Sequence, residues 1–141
     1  MTWRRARRQR GQTLVEFALI VPIFALLLFA LLDFGRVVYV QNTITQAARE
    51  AIRVAMLEPS DSSAKYSAIR AAALNAAPGV GLTSADVDGA GCTDCFYPNG
   101  TEPGSLVVVR VSNSVSLMTP LLAQVLGGTF TLQSTSRGFI P

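Results

Sequence analysis

The chain has 141 residues, room for one small domain and no more, and with half of them apolar and only 15% charged it is too greasy for a disordered protein. Its formal charge of +3 comes from five Arg among the first ten residues (Arg4, Arg5, Arg7, Arg8, Arg10); the rest carries seven basic and nine acidic side chains, so no nucleic-acid partner is expected. There is no His, which removes Ser/His/Asp and Cys/His catalysis, and Cys92 and Cys95 alone cannot complete a four-thiolate zinc site; the composition argues against an enzyme, and no metal or cofactor is expected.

The first predicted element follows the basic leader. Phe17 to Leu32 reads FALIVPIFALLLFALL, sixteen residues without a charged or hydrogen-bonding side chain. As a helix they span about 24 Å, short of a hydrocarbon core of roughly 30 Å; counting from Gln12 lengthens the span to about 31 Å. A transmembrane helix over residues 12–33 is predicted. The leader's arginines place the N-terminus in the cytoplasm and the remainder outside, as a single-pass protein of the inner membrane. A secretory signal peptide would be followed by a small-x-small cleavage site, yet the chain continues Asp33-Phe34-Gly35-Arg36-Val37. The Arg4-Arg5 and Arg7-Arg8 pairs are expected by chance in so basic a leader and carry little weight as a twin-arginine signal. A plain uncleaved anchor leaves Glu16 unexplained, because a carboxylate within a span costs up to about 2.5–3.5 kcal/mol and calls for a positive partner. Pro22 removes one helical hydrogen bond and clashes with the carbonyl of Ala18, so a kink or melted turn is predicted there.

Arg10-Gly11-Gln12-Thr13-Leu14-Val15-Glu16-Phe17 resembles the cleavage region of type IV prepilins, with a basic leader, a Gly, and a Glu five residues later. The resemblance implies cutting by a prepilin peptidase between Gly11 and Gln12, making 1–11 a removable leader. Such a cut would take away all five leader arginines and create an α-amino group at Gln12. Glu16, next to Phe17, could then neutralise the ammonium of a neighbouring subunit in a low-dielectric packing core. Gly11, lacking a Cβ, lets a protease approach the backbone closely.

Beyond the span, Val37, Val40, Ile44, Ala47, Ala48, Ala51 and Ala55 recur at three- and four-residue steps, so an amphipathic helix continues over 34–57 until Pro59. The rod from Thr13 to Leu57 would be roughly 65–70 Å long. Its alanine stripe can pack on the distal domain or let neighbouring rods approach. Asp33 and Arg36, three apart on one face, are expected to pair at the outer membrane boundary. Asp33-Phe34-Gly35-Arg36 and Ala47-Ala48-Arg49-Glu50-Ala51-Ile52-Arg53, at this distance from Glu16-Phe17, resemble the TadE-like family of the Tad (Flp) pilus system. Proteins of that family are pseudopilins or minor pilins assisting the assembly of thin adhesive pili. The resemblance implies a pilin-like fold and, as partners, membrane lipid, prepilin peptidase, other pilins and the Tad assembly platform. Ala51 departs from the Gly often found there, which predicts slightly looser packing.

Ser60 to Ser63 offer N-caps for a second helix over Ala64–Ala77, stopped by Pro78-Gly79. Residues 79–104 read as loop with a turn at Pro98-Asn99-Gly100 and a short strand near Asp86-Val87-Asp88. Leu106–Val111 and Thr129–Ser136 read as strands, with a short helix at Pro120–Leu126 between them. Cys92-Thr93-Asp94-Cys95 is a C-x-x-C motif whose loop-like flanks favour a structural disulfide over a redox centre. Asn99-Gly100-Thr101 is a sequon match taken as accidental in the bacterial setting that the prepilin resemblance implies. The expected fold class is α+β: a long transmembrane and amphipathic helix, a second helix, and a small antiparallel β-sheet cap over 58–141 that covers the second helix or the base of the rod. The expected function is that of a Tad minor pilin or pseudopilin. The alternatives are a pseudopilin of a related secretion system, an uncleaved anchor presenting a binding cap and, last, a membrane-tethered thiol oxidoreductase.

Overall fold

Helix α1 runs without a break from Trp3 to Met56, about 80 Å. The structure, a computed structural model, describes residues 3–88, 96–119, 123–124 and 127–141, with side chains from residue 11 onward. The helix starts ten residues before the predicted Thr13 because Arg, Ala and Gln are good helix formers and propagate a helix already nucleated downstream. Its helical course also continues through Pro22, so the predicted melted turn does not occur. One lost hydrogen bond is a small perturbation in a helix whose flanking turns are intact. After Met56 the chain leaves through Glu58, in the left-handed region at φ 50, just before Pro59.

Helix α2, Ser63–Ala76, is capped by Ser62, whose hydroxyl accepts from Lys65 N at 3.3 Å. A 3₁₀ turn at Ser84–Asp86 follows, held by Thr83 N and Oγ1 donating to the Asp86 carboxylate at 2.8 and 2.7 Å. The predicted strand near Asp86 reduces to one bridge, Val87 to Val111, because the 3₁₀ turn uses the residues before it. Pro98-Asn99-Gly100 forms the predicted turn, with Gly100 N donating to Tyr97 O at 3.2 Å. Strands β1, Leu106–Ser116, and β2, Thr129–Phe139, pair antiparallel from Leu106↔Phe139 to Ser116↔Thr129. Both are longer than predicted, since their polar ends are held by the ladder itself. Ala123 and Gln124 are helical, while the rest of the predicted helix at Pro120–Leu126 lies outside the described residues.

The core lies between α1 and everything distal to it. Val40, Ile44, Ala47, Ala48, Ala51, Ile52 and Ala55 of α1 are buried with Ile69 and Ala73 of α2, with Val107, Val109, Val111 and Val115 of β1, and with Val87, Phe96, Tyr97 and Ile140. Small side chains along the α1 stripe let α2 and the hairpin approach the rod closely, so the hairpin lies along the rod. Lengths match: Asp33 to Met56 is about 35 Å of helix, and β1 is about 37 Å of strand. At one end Gly138 sits against Ile52 and Met56; at the other Ser116 to Thr119 reach Arg36 and Asp33. A Cβ on Gly138 would stand 2.8 Å from Met56 Sδ and 3.4 Å from Ile52 Cδ1. Gly138→Val is therefore expected to cost about 1–3 kcal/mol through overpacking. Urea unfolding in detergent checks this; an unchanged midpoint would mean that the methionine moves aside freely.

Candidate functional site

The residues singled out in the sequence all lie on α1 except the two cysteines, and the helix presents them in four groups. At the start, Gly11 and Gln12 are exposed within continuous helix, and the position of a Cβ on Gly11 is open space. Gln12 Nε2 donates to Glu16 Oε1 at 3.3 Å, so the residue after the candidate cut and the Glu16 carboxylate share one helix face a turn apart. Phe17 projects outward beside them, 68% exposed. Glycine weakens a helix by about 1 kcal/mol relative to Ala, so the helix is easier to unwind locally at Gly11.

The second group is the apolar stretch. Between Gly11 and Met56 the helix has a window of mean hydropathy 2.7 with none of it covered by the rest of the chain, and Leu, Ile, Val and Phe side chains point outward from Leu14 to Phe34. By length and composition this helix is long and apolar enough to cross a membrane. Pro22 lies inside this stretch, exposed like its neighbours.

The third group corrects an expectation. Asp33 and Arg36 form no ion pair; each holds the end of the hairpin instead. Asp33 Oδ1 accepts from Met118 N at 3.0 Å, and Oδ2 accepts from Thr119 N at 3.0 Å and from Thr119 Oγ1 at 2.7 Å. Arg36 Nη1 donates to Ser116 O at 3.2 Å. Asp33 and Thr119 are buried, 5% and 4% exposed. The carboxylate thus meets three donors at the point where the apolar run ends, which lets a buried charge sit beside that apolar surface. Its place was readable in part, since 33, 37, 40, 44, 47, 51 and 55 follow one three-four stripe and Arg36 falls off it. What lay opposite was not readable. Gly35 is exposed, and among the described residues, apart from its chain neighbours and its own helix backbone, nothing stands within 4 Å of where its Cβ would be.

The fourth group splits across the rod. Ala47, Ala48, Ala51 and Ile52 face the cap and are buried, Ala51 accommodating its methyl without exposure. Arg49, Glu50 and Arg53 face away and are exposed, with Glu50 and Arg53 paired at 3.6 Å. Such an exposed pair contributes little to stability.

Sequence reasoning missed Asp88. It is buried beside β1, with φ 56, and exchanges bonds with Arg110: its N donates to Arg110 O at 2.8 Å and its Oδ1 accepts from Arg110 N at 2.7 Å. Oδ2 is buried with no partner among the described residues. Burial pushes the carboxyl up to about 6, against the Arg110 N–H and the charges of Arg110 and Arg70. Cys92 and Cys95 lie outside the described residues. Among the described residues no group of three or more His, Cys, Asp or Glu side chains is placed to hold a metal ion.

These features define a class: an exposed apolar helix, prolonged by an amphipathic half that carries its own α+β cap. Residues 11–53 match the family model described as TadE-like protein, a stretch that runs from the candidate cut through the second motif. Comparison with curated proteins and with solved structures gave no match.

Proposed function

We propose that this protein is a minor pilin or pseudopilin of a Tad (Flp) pilus, inserted in the inner membrane and drawn into assembly by its N-terminal helix. The observation that carries this reading is a coincidence of extents. The TadE-like match over 11–53 lies wholly within one uninterrupted helix, includes the exposed apolar stretch, and stops within a turn of the helix end at Met56. A soluble protein would leave such a surface unpaid in water; lipid before assembly and other pilin helices after it are the environments that suit it. The cap covers one face of the distal half of the rod, leaving the apolar half for membrane and partners. In this reading prepilin peptidase cuts between Gly11 and Gln12, and the assembly platform takes up the shortened chain. The protein's role is structural.

Glu16 supports the same reading. Once Gln12 carries a free α-amino group, a carboxylate at this depth sets the register of one subunit against the next by neutralising it. Glu16→Ala is expected to leave membrane insertion intact and to reduce incorporation into sheared pili by at least about tenfold, the effect of losing a charge pair worth roughly 1.4 kcal/mol. Normal incorporation of the variant would refute the pairing. N-terminal sequencing and intact mass of the membrane-extracted protein test the processing itself. A start at Gln12 supports the pilin reading, whereas a start at Met1 or Thr2 would favour a permanent anchor presenting its cap.

A further inference from the structure

We propose that the membrane-proximal end of the β-hairpin is a second lipid contact, seated in the outer leaflet beside the transmembrane helix. The inference rests on the membrane-spanning reading of α1 and extends it to a part of the chain outside the TadE-like match.

Position comes first. Asp33 marks the end of the apolar run, and its carboxylate is bonded to Met118 N, Thr119 N and Thr119 Oγ1, so the chain just beyond β1 is tied to the helix at the level where the span meets the interface. Composition comes second. From Val111 to Ser136 the chain contains no charged residue; the hairpin's two charges, Arg110 and Arg137, lie nearer the end away from Asp33. Exposure comes third. Met118, two residues beyond the end of β1, is 73% exposed although its own N–H is bonded to Asp33, and Phe34, next to Asp33 on the helix, is 66% exposed. Two large apolar side chains from distant parts of the chain are thus left uncovered at one height. Arg36 completes the arrangement: bonded to Ser116 O, its exposed guanidinium stands at headgroup level, where a cation is favourable. The occupant is lipid because the surface continues that of the span, which needs lipid at the same height.

Trp3 is the one tryptophan of the chain, so single reporters can be placed on a Trp3→Phe background. The full-length protein is reconstituted at low density in phosphatidylcholine and phosphatidylglycerol vesicles with acyl chains brominated near the headgroup or near the chain end. Three reporters are compared: Met118→Trp at the hairpin end, Leu27→Trp in the span, and Phe139→Trp at the far end of the hairpin. Met118→Trp is expected to emit to the blue of Phe139→Trp and to lose emission to bromines near the headgroup, while Phe139→Trp stays unquenched. Adding Asp33→Ala should reduce the quenching of Met118→Trp and leave that of Leu27→Trp unchanged. If Leu27→Trp is quenched by deep bromines and Met118→Trp by neither set, the hairpin end is in water and the proposal is overturned with the span intact. A blue-shifted but unquenched Met118→Trp would mean that a protein neighbour covers it, which also overturns the proposal. An unquenched Leu27→Trp would overturn the spanning reading and this one with it.

Discussion

Asp33→Asn is expected to release the membrane end of the hairpin while leaving the far end docked. The carboxylate uses both oxygens as acceptors, toward Met118 N, Thr119 N and Thr119 Oγ1. An amide keeps one acceptor and turns an NH₂ toward donors, so at least one buried N–H loses its partner. Amide exchange at Met118 and Thr119 should accelerate by about ten- to a hundredfold, as for loss of a charge-assisted bond. Val107 and Val109, packed in the core at the other end, should keep their protection. Asp33→Ala should show the larger effect, and Thr119→Val a smaller one, since it removes only the hydroxyl bond. Equal exchange in Asp33→Asn and wild type would show that the clasp adds nothing to the packing. Because this Asp belongs to the first TadE-like string, the same measurement asks whether that string serves the chain's own cap before it serves any partner.

The second large effect concerns pH. The carboxyl of Asp88 ordinarily loses its proton near 3.8 and in the folded chain near about 6. The folded state therefore binds this proton more tightly than the unfolded state between those two values. Its contribution to stability is fully present below about 3.8, falls as pH rises through 6, and is constant above. The total loss is about 3 kcal/mol by linkage, an order-of-magnitude figure. Asp88→Asn retains an oxygen to accept from Arg110 N, tolerates the left-handed backbone as Asp does, and carries no charge to desolvate. It should be more stable than wild type at pH 8 by about 1–3 kcal/mol, with a flatter profile between pH 4 and 7. Denaturant unfolding across that range checks this; parallel profiles would place the pH dependence elsewhere.

The helix and its motifs were legible because their signals are local. A sixteen-residue apolar run, the three-four stripe through Val40 and Ile44, and the stops at Pro59 and Pro78 each depend on neighbours within a turn or two. The same locality exposed the resemblance carried by Arg10–Phe17, Asp33–Arg36 and Ala47–Arg53, which the family match over 11–53 overlaps. The partners of Asp33 and Arg36 were misread for the converse reason. Intrahelical spacing favoured pairing them with each other, but the competing donors and acceptor are about eighty residues away in sequence, at Ser116, Met118 and Thr119. Asp88 was invisible because nothing in its immediate sequence announces that Arg110 will fold across it.

The sequence by itself determined that this chain has one long helix with an apolar run, uncharged from Phe17 to Leu32, and a small α+β remainder, since hydrophobic period and helix stops are properties of consecutive residues. Only the tertiary structure decided that the hairpin lies along the rod and ends at Asp33. That outcome depends on the fit of Gly138 against Ile52 and Met56, and on a buried carboxylate finding three donors, and both are contacts between residues that chain connectivity keeps far apart.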